Sequence, residues 1–327
     1  MAAAHLVVLL GLLHMRLLQR WLASIRFSAK KHKRLLVTFP PSVENDLRYW
    51  GSPQHLLQGT SLGRISLESV WLRECFFQAY RCRIGAGESR LDVLGVGSGG
   101  GELDVQLLSL LQSTFPAVPI TADIVEGSTQ LTEFKALVAK TTNLQKIPFT
   151  WHFMRSESYE REVKANRGMK TFDLIHMVHM IGYVDNLADT IKFYHSLLKN
   201  NGRLMIIVST ANSGWDTLWK TYKEELCVGR ITEYCTSVDV TACLKSLGLK
   251  YEEHAIPITA DISECFDPSS QTGEQLLSFF TMKDHFHQSF TLEIRAGMLD
   301  LLRNKCSTEK DGKLFFNADS SCILVYA

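Results

Sequence analysis

The sequence lacks most of the features that would assign a function at a glance. It carries almost no net charge: 35 Lys and Arg stand against 34 Asp and Glu, for a formal +1. No overall field therefore draws it to nucleic acid or to an acidic surface. It has no C-x-x-C pair and no Cys/His cluster with zinc spacing, although it holds eight cysteines: Cys75, Cys82, Cys227, Cys235, Cys243, Cys265, Cys306 and Cys322. We expect no metal, and reduced, mostly buried thiols in an intracellular protein. The apolar run AHLVVLLGLLHM is too short to cross a bilayer comfortably and has no basic region ahead of it, as a secretory signal would. Stable membrane insertion is not expected. There is no internal repeat and no low-complexity segment.

Acidic residues are missing from the N-terminal stretch altogether. The first is Glu44, and before it come Arg16, Arg20, Arg26, Lys30, Lys31, Lys33 and Arg34. Such a basic, acid-free leader fits a mitochondrial presequence, a weak membrane-surface helix or a poorly ordered extension. We take residues 1–45 as a poorly ordered extension and expect a cytoplasmic monomer, with mitochondrial targeting as the alternative.

What is present is a glycine cluster. In LDVLGVGSGGGELD an apolar run ends in five glycines between Gly95 and Gly101, and an acidic, helix-compatible segment follows. Glycine reaches positive φ and lets a ligand approach the backbone. Strand, glycine turn and helix start together point to a nucleotide-shaped ligand. Gly95, Gly97 and Gly100 satisfy G-x-G-x-x-G, and Glu126 ends the next apolar strand, where a carboxylate can grip a ribose diol. A dehydrogenase and a methyltransferase share that layout.

The rest of the chain alternates strand and helix. RLDVLGV, PITADIVEG, FTWHFM, FDLIHMVHMI and RLMIIVST read as strands. Helical spacing appears over residues 66–80, in ELDVQLLSLLQSTF, in STQLTEFKALVAKT with Ser128 as N-cap, in NLADTIKFYHSLLKNNG closed by Gly202, and in SVDVTACLKSLGL. The end, GKLFFNADSSCILVYA, reads as two short strands or a strand with a loop. This predicts an α/β fold for residues 46–327: a Rossmann-like, mostly parallel sheet flanked by helices, with ligands at the carboxyl ends of the strands. The stretches 215–230 and 267–308 fit poorly as crossovers and are expected to be irregular cap segments over those ends.

The glycine turn comes late, after a helical portion. FDLIHMVHMIGYV puts candidate site residues directly after the fourth strand. Helix, glycine and strand follow in LLKNNGRLMIIV. These features favour S-adenosylmethionine over NAD. Five further segments, SGWDTLWKTY, KTTNLQKIPFTWH, KFYHSLLKNNGRLMIIV, DISECF and DGKLFFN, have no generic physical reason to occur together. With them the chain resembles the histamine N-methyltransferase family of class I methyltransferases, from about Ser66 to Ala327.

The resemblance implies S-adenosylmethionine as cofactor, with Gly97 under its methionyl part, Glu126 on the ribose, and Gln130, Ser156 and Val178 around the remainder. It implies an imidazole acceptor held by Glu68. His179 stands where the family has a substrate-facing glutamine, Gly182 replaces a tyrosine, and Tyr183 keeps the next one. Ala318 falls at the family's substrate asparagine. Trp215 and Trp219 match its aromatic pocket walls, although their i, i+4 spacing alone reads as core. Glu68 and His179 are thus the candidate catalytic groups. The departures at His179, Gly182 and Ala318 suit the family's carnosine branch, which forms anserine, somewhat better than histamine. A catalytically silent cofactor-binding protein and an NAD-dependent oxidoreductase remain as alternatives.

Overall fold

In the computed structural model the described residues are 89–166, 170–227 and 233–327. The expected helix over 66–80, Glu68 and the extension over 1–45 lie outside them. In chain order the first half comprises β1 (Leu91–Val96), α1 (Glu102–Thr114), β2 (Ile120–Val125), α2 (Gln130–Lys140), β3 (Phe149–His152), α3 (Ser156–Ala165), β4 (Phe172–Val178), α4 (Leu187–Ser196) and β5 (Leu198–Ser209). Then come α5 (Gly214–Thr221), α6 (Lys223–Leu226), α7 (Ser237–Ser246), β6 (Tyr251–Ile256) and β7 (Thr259–Asp261). The chain closes with α8 (Gln271–Thr281), α9 (Phe286–Ser289), α10 (Leu292–Asn304), β8 (Ser307–Lys310), β9 (Lys313–Asn317) and β10 (Ser320–Tyr326).

The large sheet has the order β3-β2-β1-β4-β5-β10-β6. Strands β1 to β5 pair in parallel, and β10 inserts antiparallel between β5 and β6. Alternation along β1 explains the layers. Leu91 and Val93 join one core with Leu107, Leu111 and Phe134 of α1 and α2. Leu94 and Val96 join the other with Ile191, Tyr194, Val240 and Leu244 of α4 and α7. A strand covered on both faces has no polar alternation, which is why RLDVLGV reads as a continuous apolar run.

Two expectations need correction. The helix foreseen through Gly202 stops at Ser196, and residues 198–202 open β5 instead. Leu198 pairs with Phe172 across an irregularity in the ladder, and Lys199 Nζ reaches Asp92 at 2.9 Å and Asp173 at 2.7 Å. Those tertiary contacts outweigh local helix propensity. Of the two stretches expected to be irregular, 215–227 carries the helices α5 and α6, and 267–308 is not irregular either. The latter forms α8, α9 and α10, with Ser270 and Thr291 side chains capping α8 and α10. The helices bury an apolar face of Leu276, Leu277, Phe280, Met298 and Leu302.

That face meets α5, α6 and a three-stranded antiparallel sheet, β7-β9-β8, to make a core distinct from those of the large sheet. Among the described residues no helix is long and apolar enough to cross a membrane. The described cysteines, Cys227, Cys235, Cys243, Cys265, Cys306 and Cys322, are all free thiols.

Candidate active site

Strand order reverses between β1 and β4, so the chain leaves these neighbours in opposite directions and opens a crevice beyond their carboxyl ends. The glycine turn lines it. Gly97, Gly99 and Gly101 have φ of 68°, 55° and 80°, a region that side chains rarely enter. Contact excludes a side chain as well: a Cβ on Gly97 would lie 2.6 Å from Met180 Cβ, and one on Gly101 would lie 2.0 Å from the Phe134 ring. Gly97 N–H donates to Val125 O at 2.8 Å, which ties the turn to the end of β2.

Glu126, buried just past β2, clamps the same turn. Its Oε2 accepts from Gly99 N–H and its Oε1 from Ser128 N–H, each at 2.7 Å. Each carboxylate oxygen has further lone-pair capacity, so these bonds leave room for hydroxyl donors. Gln130 is the buried first residue of α2, and its N–H reaches Ser128 Oγ at 3.3 Å. Ser128 thus acts two residues before the helix, and Thr129 is the N-cap. Ser156 opens α3 with its hydroxyl bonded to Tyr194 OH at 2.9 Å. The loops after β2 and β3 touch: a Cβ on Gly127 would come within 2.9 Å of Arg155 Cγ. Gly97, Glu126, Gln130 and Ser156 therefore border one continuous edge. Its fit to a nucleoside ligand lies in side-chain-free backbone beside a carboxylate.

β4 delivers the other wall. Val178 is its half-buried last residue. His179 follows, exposed, with φ 51° and its N–H on Ile207 O at 2.8 Å. A histidine held in the left-handed region at a switch point is the kind of backbone strain that gathers at functional sites. A short turn, Ile181–Tyr183, carries Gly182 and Tyr183. Among the described residues a Cβ on Gly182 would meet only Cys235 Cβ, at 3.6 Å, an ordinary contact. Burial raises the Tyr183 phenol above its ordinary range.

Beside Tyr183 lies Tyr234, which the sequence reading missed. Burial raises its phenol too, against a hydrogen bond with Ser209 Oγ at 2.9 Å. Its ring packs 5.4 Å from that of Trp219. Trp219 is 2% exposed, and its indole N–H donates to Phe280 O at 3.0 Å, so it belongs to the third core. Trp215 is half-buried against Phe279, Phe280 and Phe316. Ala318 sits between β9 and β10, with its N–H on Ile258 O at 2.8 Å. The next carbonyl, of Asp319, accepts from Thr210 N–H at 3.0 Å, which brings Ala318 near the end of β5. Glu68 lies outside the described residues. Among the described residues no group of three or more His, Cys, Asp or Glu could hold a metal ion.

Beneath the glycine turn is a second omission. Asp104, on the buried face of α1 with Leu107, Leu108 and Leu111, accepts from Ser98 Oγ at 2.8 Å and meets His176 Nε2 at 2.7 Å. The signal was legible. An acid shares the i, i+3, i+4 spacing of a buried helix face, and a histidine interrupts an apolar strand; buried polar groups require partners.

A family model described as "Methyltransferase domain" matches residues 72–254. With the doubly wound sheet and the glycine turn, this defines a class I methyltransferase, the class that takes its methyl group from S-adenosylmethionine. The chain is 40% identical over 246 residues to histamine N-methyltransferase A of Xenopus laevis, covering 75% of this chain and 84% of that one. Identity to histamine N-methyltransferase of Bos taurus is 38%, over 75% and 85% of the two chains. Carnosine N-methyltransferase 2 of Gallus gallus is 37% identical, over 74% of this chain and 76% of that one. The chain belongs to the histamine N-methyltransferase family.

Proposed function

We propose that this protein methylates a ring nitrogen of a small imidazole compound, with histamine as its first acceptor. The observation that carries the reading is the meeting of two unlike walls at one switch point. One is side-chain-free backbone with Glu126, and the other is His179 with the Tyr183–Tyr234 pair.

When bound, S-adenosylmethionine supplies an electrophilic methyl group on a sulfonium. Gly97 would leave space for its methionyl part, and Glu126 would accept from the ribose hydroxyls while still holding the Gly99 and Ser128 amides. By the family resemblance, Gln130, Ser156 and Val178 would border the remainder of the donor. On the acceptor side, an imidazole of pKa about 6.5 is mostly neutral and nucleophilic at pH 7, so a strong general base is unnecessary. The family resemblance gives Glu68 the acceptor's other ring N–H. There a carboxylate selects the tautomer and stabilises the charge that develops on the ring. Aromatic side chains around Tyr183, Tyr234 and Trp215 exclude water and tolerate a cation. Alignment and desolvation of this kind are worth roughly 7–11 kcal/mol in favourable cases.

Carnosine is the second reading. The relatives' names favour histamine, against the lean that His179, Gly182 and Ala318 give from sequence. Gly182 nevertheless puts the smallest side chain where the resemblance expects a tyrosine, which suits a longer acceptor. The test is methyl transfer from labelled S-adenosylmethionine to histamine, carnosine, histidine and imidazole. We expect transfer to histamine with the highest kcat/KM. Faster transfer to carnosine would reverse the order of the two acceptors, and no transfer to any imidazole would overturn the reading. Glu68→Gln should lower the rate about 30- to 200-fold, as expected for loss of one charge-assisted hydrogen bond of roughly 2–3 kcal/mol, and leave cofactor binding intact.

A further inference from the structure

Asp104 and His176 form a buried pair that meets the half-buried Ser98 directly under the glycine turn. Asp104 and His176 are 2% and 3% exposed. A carboxylate in such a place is unfavourable unless donors compensate it, and an apolar side chain would pack the same helix face more easily. Its presence calls for a role beyond packing.

The turn around it explains that role. Between Gly97 and Gly101 the chain has one side chain, that of Ser98. Three of the four glycines there sit at positive φ. Such a segment has many alternative conformations, and a ligand that must order it binds more weakly. Two hydrogen bonds to side-chain atoms restrain it: Gly99 N–H to Glu126 Oε2 at 2.7 Å, and Ser98 Oγ to Asp104 Oδ1 at 2.8 Å. The second depends on where Asp104 Oδ1 points. His176 Nε2, 2.7 Å from the same oxygen, fixes that direction from β4. A carboxylate oxygen only accepts, so His176 Nε2 is the donor in this contact. Strand β1 makes room for all three groups. A Cβ on Gly95 would lie 2.5 Å from Asp104 Oδ1, 2.6 Å from Ser98 Oγ and 3.0 Å from His176 Nε2.

We propose that His176 and Asp104 are positioning residues for the methyl-donor site: together they tether Ser98 and hold the glycine turn in its binding shape before the donor arrives. The inference rests on the reading that this turn receives S-adenosylmethionine.

The test uses the full chain and four proteins: the parent, Ser98→Ala, His176→Phe and His176→Gln. Calorimetry measures binding of S-adenosylmethionine and S-adenosylhomocysteine. Amide hydrogen exchange reports on residues 97–102 with no ligand present, and thermal melting on global stability. Ser98→Ala removes one half-buried hydroxyl and leaves the apolar core intact. We expect roughly tenfold weaker binding, faster exchange in the turn and a melting temperature close to the parent's. In steady state the KM for S-adenosylmethionine should rise by a similar factor, with kcat at saturation and the acceptor KM changed much less. His176→Phe keeps the volume without the donor and should behave like Ser98→Ala, with some loss of stability. His176→Gln retains an N–H donor and should recover part of the affinity. If His176→Phe does not fold, Ser98→Ala and His176→Gln decide the matter. A parent that binds no S-adenosylmethionine overturns the functional reading itself. A parent that binds it, with a Ser98→Ala protein that binds equally well and exchanges no faster, overturns the tether alone.

Discussion

The two walls of the crevice are built on different principles. The proposed donor wall is mostly local: the glycine turn after β1, α1, the end of β2 and the start of α2 all lie between Leu91 and Gln130, with Ser156 and Val178 added from α3 and β4. Its specific contacts are backbone amides, one carboxylate and glycines that keep side chains out of the way. Among the described residues the proposed acceptor wall draws on positions from His179 to Ala318, and its contacts are among side chains, most of them aromatic. A cofactor of invariant chemistry can be held by backbone. Selection among small acceptors has to be done by side chains, whose shape and polarity vary.

The sharpest way to break this division is to damage one wall and read the other. Phe280→Ala should do most. The ring is 2% exposed and packs on Trp215 and Phe316 at 5.1 and 4.5 Å. We expect about 3–5 kcal/mol of lost stability, seen by denaturant unfolding, with S-adenosylmethionine affinity in the folded protein nearly unchanged. Equal loss of donor binding would show that the third core supports both walls.

Glu126→Ala attacks the donor wall alone. It frees the Gly99 and Ser128 amides and removes the ribose acceptor, interactions of roughly 1.5–3 kcal/mol each. Calorimetric affinity for S-adenosylmethionine should fall about 100-fold or more in a protein that still folds. Unchanged affinity, or a preference for NAD, would overturn the assignment.

A third experiment supplies a control at the end of β1 opposite the glycine turn. Asp92 lies in β1 two residues into the strand, away from the glycine turn. Burial by itself raises its carboxyl, but hydrogen bonds from Thr121, Lys199 and Arg90 outweigh this and bring it from 3.8 to about 2. The folded value is below the unfolded one, so the stabilisation is complete above about pH 4 and is lost as pH falls through about 2. The difference corresponds to on the order of 2 kcal/mol. Asp92→Asn should therefore flatten the acid limb of the stability profile between pH 4 and 2 and leave donor affinity at pH 7 untouched. A variant with the parent's acid limb would remove Asp92 as its cause.

The smallest effect expected is on acceptor choice. His179→Gln together with Ala318→Asn restores the residues that the resemblance expects, and should raise the ratio of kcat/KM for histamine over carnosine by about tenfold, or roughly 1.4 kcal/mol. Since His179 holds a left-handed backbone, the single Ala318→Asn change serves as the strain-free comparison. If neither variant moves the ratio, the helices α8 to α10 become the next place to look.

Periodicity and glycine chemistry made β1 to β5, α1 and α2 readable from the sequence, along with the glycine turn and Glu126 at the strand end. Each is a short-range matter of φ, burial period or a single carboxylate. The resemblance to the histamine N-methyltransferase family was equally legible, because unrelated short segments coincide along one chain. Tertiary structure decided what depends on distant partners. It ended α4 at Ser196, since Lys199 is needed between Asp92 and Asp173. It turned 267–308 into helices around an aromatic core. It also joined Asp104 to His176 across 72 positions and set Tyr234 between Ser209 and Trp219. Pattern along a chain says which residues are to be buried. Which of them meet is settled by the closing of the sheet and the packing of the helices upon it.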